Sequence, residues 1–239
     1  MEKSEYPRIF VSEGTHFWYR VNREFSLDLI DKYCHLPAKS QILDAGCGAG
    51  GTTMALKKYG HVTGIDAHSL AIKFSRKYPI DRLIKADVNK LPFSKESFDL
   101  VTSFDVLYHK NVNPTKALEE AYRVLKKNGW ILIRVPAFKF LRGGHDTVVQ
   151  TGRRFTATQL ANLVKSQDFK IDYISYFNLT LFFPSLFWRN LKSSQSSDVR
   201  PLWSPLNWLL YIMLKTEAIL AKVIKLPFGT SVYCLAQKV

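Results

Sequence analysis

Cysteine, acidic side chains and long apolar runs are all scarce in this chain of 239 residues. Its three cysteines, Cys34, Cys47 and Cys234, form neither a Cys-x-x-Cys pair nor a Cys/His metal spacing, and their odd number argues against a disulfide framework. We therefore expect free thiols in a reducing compartment and no bound metal. The opening residues, MEKSEYPRIF, carry charges where a signal peptide needs an apolar core, so we expect a cytoplasmic protein.

The shortage of acidic residues leaves the chain strongly basic. Asp and Glu number 20 against 34 Lys and Arg, which gives a formal charge of +14. Such a balance favours a polyanionic partner or an anionic membrane surface. The basic residues are spread along the whole chain without a run of five, so a nucleic-acid-binding arm is not indicated and no nucleic acid partner is expected.

Glycines at positions 46, 48, 50 and 51 follow an apolar stretch that runs from Gln41 through Asp44. Glycine is needed where a backbone turns tightly or where a ligand must approach without a Cβ in the way. A helix-like segment, residues 52–59, comes directly after the glycines. The pattern predicts the first strand, turn and helix of a nucleotide-binding sheet.

Asp66 ends the next strand-like segment, 22 residues after Asp44. An acidic side chain at about this spacing binds the ribose hydroxyls of an adenosine. The glycines also satisfy the dinucleotide signature G-x-G-x-x-G, so a nicotinamide enzyme is an alternative. Asp44 argues against it, because a carboxylate upstream of the turn can order the loop and meet a cationic amino group but would not help a pyrophosphate at the helix N-terminus.

Strand and helix patterns alternate along the first two thirds of the chain. Helices are expected at 70–77 and at 114–127, where Asn128-Gly129 supplies the stop signal, and the strands between them predict an α/β, doubly wound, mostly parallel sheet. Two later strands, 170–178 and 230–238, are separated by about fifty residues. A connection of this length predicts a structured insertion.

Several ordered motifs together resemble the class I S-adenosylmethionine-dependent methyltransferases, in particular the methyltransferase type 11 group that includes the ubiquinone-biosynthesis enzymes. The motifs lie within residues 38–137 and are Leu43–Gly50, Asp66, Asp87, Leu91–Phe93 and Phe98–His109. The resemblance implies a Rossmann-like seven-stranded sheet with an antiparallel last strand. It also implies S-adenosylmethionine as the cofactor.

The resemblance further implies where the cofactor would bind. The loop from Gly46 to Gly50 would contact its methionine part, Asp66 its ribose, Asp87 with Val88 its adenine, and the backbone near Phe104 its methionine end. An aromatic cluster, Phe17–Tyr19, would either cover the ligand as a lid or pack in the core. The expected cofactor-binding residues are therefore Asp44, Gly46, Cys47, Gly48, Gly50, Asp66, Ala67, Asp87, Val88, Phe104 and Tyr19.

We expect three regions: an N-terminal helical lid at 1–37, the cofactor-binding domain at 38–179 with 230–239, and an apolar, aromatic helical insertion at 180–229. Within the insertion, residues 206–224 form an amphipathic helix with apolar residues on one side, the other side carrying Asn207, Tyr211, Lys215, Lys222 and Lys225. Lys215 and Glu217 interrupt the run before the roughly 20 apolar residues that a membrane span needs. Three interpretations stay open: residues 180–228 form a cap over the acceptor, they contact the inner face of a membrane, or the helix packs on its own domain or a second subunit.

Histidines are the candidate general bases for a hydroxyl acceptor, since imidazole titrates near neutral pH. His109 ranks first because it follows the fourth strand, His145 beside Asp146 ranks second, and His16 third. Arg142, Arg153 and Arg154 would bind an anionic acceptor or pair with the protein's own acids.

These features predict methyl transfer to a hydroxyl or carbon of a small molecule, either a lipid-linked, a glycan or a quinone-like compound. The alternatives are an RNA or protein methyltransferase and a non-catalytic binding protein with the same fold. The acceptor, the methylated atom and the oligomeric state stay open.

Overall fold

A computed structural model describes residues 5–191 and 202–239. Within these ranges seven strands form one sheet in the order β3-β2-β1-β4-β5-β7-β6. The strands are β1 Ser40–Ala45, β2 Gly60–Asp66, β3 Arg82–Lys85, β4 Phe98–Phe104, β5 Leu125–Pro136, β6 Phe169–Phe177 and β7 Ser231–Lys238. The strand pairs from β3 to β5 are parallel, and β7 is antiparallel to both of its neighbours. The predicted fold class, a mostly parallel Rossmann-like sheet with an antiparallel last strand, is confirmed.

Helices cover both faces of this sheet and form the insertion. They are α1 Glu5–Ser12, α2 Phe17–Tyr33, α3 Gly51–Leu56, α4 Ser69–Ser75, α5 Pro114–Val124, α6 Gly144–Val148, α7 Ala157–Lys165, α8 Phe182–Leu191 and α9 Ser204–Ala221. Two begin at signals visible in the sequence. Asn113 caps α5, which opens with Pro114, and Thr156 with Gln159 forms a capping box at α7.

Alternating side chains of the central strands enter two separate hydrophobic cores. Ile42 belongs to the core that contains α2, whereas its neighbour Leu43 belongs to the core beneath α5 and α7. Leu100 and Val101 of β4 divide in the same way. Successive residues of a strand point to opposite faces, so an apolar strand of this kind has to be covered on both sides.

The predicted end of α5 is wrong by three residues. The helix stops at Val124, and Leu125 already pairs with Phe98 as the start of β5. Asn128 has the left-handed φ of 61° expected of a turn residue, but the turn lies inside β5, where the register shifts before Trp130 pairs with Leu100. Burial of Leu125, which is 0% exposed, outweighs the helical preference of the lysines that follow it.

Helix α9 packs on α2 through its polar side. Lys215 Nζ lies 2.6 Å from Glu24 Oε2 and Lys222 Nζ lies 3.0 Å from Asp28 Oδ2, while the Tyr211 hydroxyl is 3.1 Å from the Glu24 carboxylate. The predicted amphipathic helix is present, but its apolar residues do not act as one buried face. Leu214 and Ala221 are buried, whereas most of the others face solvent.

Among the described residues no helix combines the length and the apolar character needed to cross a bilayer.

Helix α2 contributes directly to the stability of the sheet. Phe25 is 0% exposed, stacks on Phe177 with ring centroids 4.1 Å apart, and meets Tyr233 edge to face at 5.0 Å. We expect Phe25→Ala to lower the free energy of unfolding by about 3–5 kcal/mol, because it leaves a cavity among aromatic rings. Chemical denaturation measures this loss. Phe187→Ala is the matched control, since Phe187 is 67% exposed and should change stability by less than about 0.5 kcal/mol; equal effects would contradict the packing.

Candidate active site

A large cavity opens at the carboxyl ends of β1, β2, β4 and β5, with a volume of about 1230 Å³. Parallel strands bring their carboxyl ends to one edge of the sheet, which is where ligands of this architecture bind. Ten of the expected cofactor-binding residues line the cavity: Asp44, Gly46, Cys47, Gly48, Asp66, Ala67, Asp87, Val88, Phe104 and Tyr19. Gly50 does not line it and lies behind the loop, beside Ser75 and Tyr78.

The glycine loop between β1 and α3 has a backbone that only glycine adopts readily. Gly46, Gly48 and Gly50 have φ of 100°, 53° and 103°, in the region where a Cβ is strained. A Cβ on Gly46 would come within 2.2 Å of Val106 Cγ2, but one on Gly48 would meet nothing within 4 Å. The loop is therefore closely packed on its inner side and open on the side that faces the cavity.

Asp44 is the buried carboxylate behind this loop. It is 2% exposed, and each oxygen accepts one hydroxyl hydrogen bond, from Thr53 Oγ1 at 2.6 Å and from Thr102 Oγ1 at 2.8 Å. Burial raises the pKa of Asp44, and the two hydroxyl donors oppose that rise. The carboxylate thus connects β1 to α3 and β4, as expected of a residue that orders the loop.

Asp66 at the end of β2 connects the second strand to the same loop. Its Oδ2 accepts a hydrogen bond from Gly48 N at 3.2 Å, and its Oδ1 accepts one from His68 N at 2.8 Å. Burial raises the pKa of Asp66, and these backbone donors lower it. Tyr6 of α1 lies over this end of the cavity, with its ring 4.9 Å from that of His68.

Sequence reasoning missed Glu13, which lies between α1 and α2. Its side chain is buried, accepts a hydrogen bond from the Tyr78 hydroxyl at 2.9 Å, and lies so close to Gly51 that a Cβ there would be 2.5 Å from Glu13 Cδ. A carboxylate of the protein itself therefore sits at the N-terminus of α3. No local sequence pattern predicts this contact, because the two residues are 38 positions apart in the chain.

The structure also brings Arg134 and Asp105 into the cavity wall, and neither was expected. Arg134 Nε and Nη2 donate to Asp105 Oδ2 at 2.9 and 2.5 Å, and the guanidinium lies 4.9 Å from the ring centroid of Trp18. Phe17, Trp18 and Tyr19 all line the cavity, and Phe17 is also buried in the core with Trp18 packed against it. The aromatic cluster thus takes part in both roles considered for it.

The candidate bases are not equivalent. His109 lines the cavity and is half-buried, and burial lowers its pKa, which keeps the imidazole neutral at pH 7. His16 also lines the cavity, but its Nδ1 accepts the Trp18 N–H at 3.3 Å as the cap of α2. The backbone of His145 lies in α6, and its side chain is outside the described part of the structure.

Two of the three arginines expected near an acceptor, Arg142 and Arg154, have partners within the protein. Arg154 forms a two-bond pair with Asp146, at 2.8 and 3.0 Å, and both side chains are buried. Arg142 Nη2 donates to the Thr151 carbonyl at 3.0 Å. The Arg154 pair joins two parts of the segment after β5, and both of its residues line the cavity.

The strand order, the antiparallel β7 and the glycine loop at the sheet edge define the class: this is the fold of class I methyltransferases. Residues 43–133 match the sequence profile of the family described as a methyltransferase domain. These residues form a methyltransferase domain of the type 11 group of class I S-adenosylmethionine-dependent methyltransferases, whose cofactor is S-adenosylmethionine. The expected family and cofactor are confirmed.

Similar proteins support this assignment. A demethylmenaquinone methyltransferase from Clavibacter sepedonicus is 33% identical over 147 residues, which covers 58% of this chain and 58% of that protein. The chain therefore spans little more than half of that relative. A methyltransferase from Thermotoga maritima has a similar structure, with a TM-score of 0.62 at 19% identity over 99% of this chain and 95% of the other.

A third similar structure is a geranyl diphosphate C-methyltransferase from Streptomyces coelicolor. It was solved with Mg²⁺, a substrate analogue and S-adenosyl-L-homocysteine, and has a TM-score of 0.63 at 15% identity over 92% of this chain and 77% of the other.

The geometry predicts which nucleotide the cavity accepts. We expect S-adenosylhomocysteine to bind saturably and a nicotinamide dinucleotide not to bind, because the Glu13 carboxylate occupies the helix N-terminus that a pyrophosphate would need. Isothermal titration of the purified chain with each compound checks this. Heat from the dinucleotide together with none from S-adenosylhomocysteine would contradict the assignment.

Proposed function

We propose that this protein transfers a methyl group from S-adenosylmethionine to a small-molecule acceptor. The observation that carries the proposal is a cavity that joins the glycine loop, at one end, to a half-buried neutral histidine and an apolar wall at the other. At about 1230 Å³ it exceeds the 300–1,000 Å³ usual for one small-molecule site. It therefore has room for a cofactor and an acceptor together.

We assign the cofactor end by the residues that meet there. The open side of Gly48 lets the backbone approach the methionine part, Asp66 binds the ribose hydroxyls, and Asp87 with Val88 borders the adenine. Asp66 suits this role because each of its oxygens accepts only one backbone hydrogen bond and retains a further lone pair. The bound cofactor supplies an activated methyl group, and the protein has to align the acceptor and exclude water.

His109 is the proposed general base for a hydroxyl acceptor. Hydrogen bonds with the backbone of Val149 and Gln150 favour its charged form, but burial is the larger effect and lowers its pKa. A neutral imidazole at the cavity wall can take the proton from a hydroxyl as the oxygen attacks. For a carbon acceptor, the same group would take the proton that the carbon releases after methylation.

The acceptor end is apolar and comes largely from the insertion. Leu181 and Pro184 from the α8 side and Leu206 and Leu210 from α9 border the cavity. We propose that the acceptor carries an apolar chain, as a lipid-linked or quinone-like compound does. The named substrates of the relatives, demethylmenaquinone and geranyl diphosphate, agree with this chemistry. We place the reaction in the cytoplasm, since all three cysteines are buried free thiols.

Product analysis with labelled cofactor tests the proposal. The purified chain is incubated with methyl-labelled S-adenosylmethionine and with either membrane or cytosolic extract, and products are identified by mass spectrometry. We expect label in the small-molecule lipid fraction. Label in RNA or protein would favour the alternative enzyme classes, and no label in any fraction would favour a non-catalytic protein.

An Asp66→Asn variant should reduce affinity for S-adenosylhomocysteine about 10- to 100-fold, because a charged hydrogen-bond acceptor contributes about 1.5–3 kcal/mol. Asp31→Asn is the control, since the Asp31 side chain is 51% exposed and lies on the surface. Equal affinities for the two variants would contradict the role of Asp66.

His109→Gln should lower kcat by roughly 10²–10⁴-fold while leaving the affinity for S-adenosylhomocysteine unchanged. The base acts in its neutral form, so the wild-type rate should rise with pH through a pKa below the ordinary value and level off by neutrality. The variant should lack this rise. A full rate with an unchanged pH profile would exclude His109 as the base.

A further inference from the structure

Helix α9 is held on the protein by the buried Leu214, Ala218 and Ala221 and by polar contacts along one flank. Asn207 Oδ1 accepts the Phe17 N–H at 2.9 Å, and Asn207 Nδ2 donates to the Thr15 carbonyl at 3.0 Å. Lys215 and Lys222 pair with acids of α2 farther along the helix. Contacts at both ends therefore fix the rotation of α9 about its own axis.

This rotation leaves an apolar surface in solvent, which we call the outer face of α9. Its residues share an exposure of at least 40%: Leu206 42%, Trp208 64%, Leu209 50%, Ile212 40%, Met213 43%, Ile219 55% and Leu220 53%, continuing past the helix in Val223 83% and Ile224 52%. Thr216 is the one polar residue among them within the helix. Contiguous apolar surfaces of this kind mark interaction sites.

The outer face adjoins the mouth of the cavity. Leu206 belongs to the outer face and also lines the cavity, and Leu210, one turn farther along α9, lines it as well. On the α8 side, Pro184 lines the cavity beside Phe183, which is 62% exposed. An apolar molecule released from a partner bound to the outer face would therefore enter the cavity directly.

The positive net charge of the insertion favours an anionic partner for the outer face. Residues 180–229 contain six Lys and Arg but only two acids, Asp198 and Glu217. Glu217 is 6% exposed and accepts the backbone N–H groups of Leu179 and Thr180 at 2.8 and 2.9 Å. Lys215 and Lys222 are paired with acids of α2, so Lys225 supplies the exposed basic charge in the described part of the insertion. Exposed Lys225 directly follows Ile224 of the outer face.

We propose that the outer face of α9 binds the surface of an anionic lipid bilayer, with the helix lying in the headgroup region. An exposed apolar helix face that is followed by a basic residue, Lys225, on a chain with a formal charge of +14, has the chemistry of an interfacial anchor. A second copy fits less well, since a symmetric dimer through this face would bring two basic insertions together. This inference does not depend on the reaction proposed above.

Vesicle binding by the full purified chain tests the proposal. Vesicles of phosphatidylcholine with phosphatidylglycerol should carry the protein into the pellet on centrifugation, and vesicles of phosphatidylcholine alone should do so less. Ile219→Glu should weaken binding to the anionic vesicles at least about tenfold, because it puts a charge where an apolar side chain would be buried. Val239→Glu makes the same change at a residue that is 62% exposed outside the outer face and should bind like the wild type.

Folding and assembly are measured on the same samples. Thermal melting and titration with S-adenosylhomocysteine should be unchanged in Ile219→Glu, so loss of vesicle binding cannot be loss of fold or of the cofactor site. The proposal fails if the wild type stays in the supernatant or if both Glu variants bind equally. It also fails if sedimentation shows a dimer that Ile219→Glu dissociates and no vesicle binding. Vesicle binding without methyl transfer would support the docking surface and count against the proposed reaction alone.

Discussion

The hydrogen bonds accepted by the buried Asp44 carboxylate are the interaction on which the whole cavity depends. Almost no water reaches this carboxylate, so its oxygens need partners within the protein, and the hydroxyls of Thr53 and Thr102 supply them. Those two residues belong to α3 and β4. The same hydrogen bonds that satisfy a buried acid therefore hold together the strand before the glycine loop, the helix after it and the neighbouring strand.

The loop that these bonds support is shaped by close packing on one side and by open space on the other. Gly46 has no room for a Cβ because Val106 packs against it, whereas Gly48 faces the cavity. The Glu13 side chain lies against the N-terminus of α3, where it accepts a hydrogen bond from Tyr78. Burial raises the pKa of Glu13, and hydrogen bonds with Tyr78 and the backbone of Gly51 lower it. Its carboxyl group lies where a pyrophosphate would need to bind, so we expect the loop to reject a dinucleotide although it satisfies the dinucleotide pattern.

The insertion connects the cavity to the surface through one helix. Ion pairs with α2 and the buried Leu214, Ala218 and Ala221 fix the rotation of α9. The consequence is an exposed apolar outer face beside the apolar wall of the cavity. Under the two proposals, α9 would both border the acceptor in the cavity and contact the lipid bilayer from which the acceptor comes.

Much of the fold could be predicted from local patterns. Each of these patterns reflects the backbone conformation that a short stretch of neighbouring residues has to adopt. The patterns are the apolar strands that end in Asp44 and Asp66, the glycines between them, and the cap signals at Asn113 and Thr156. The cofactor end of the site is predictable for the same reason, because parallel strands always present their carboxyl ends at one edge. Where local signals competed, as at Leu125, burial in the core moved the boundary.

The sequence by itself determined the sheet, the glycine loop and the amphipathic character of α9, since each arises from residues close together in the chain. Only the tertiary structure decided that Glu13 lies at the N-terminus of α3, that Arg134 meets Asp105 in the cavity wall, and that the polar flank of α9 contacts α2. These contacts join residues that are tens to nearly two hundred positions apart. Folding determines which charged groups and hydroxyls become buried together and therefore pair. No local periodicity of the sequence predicts these pairs.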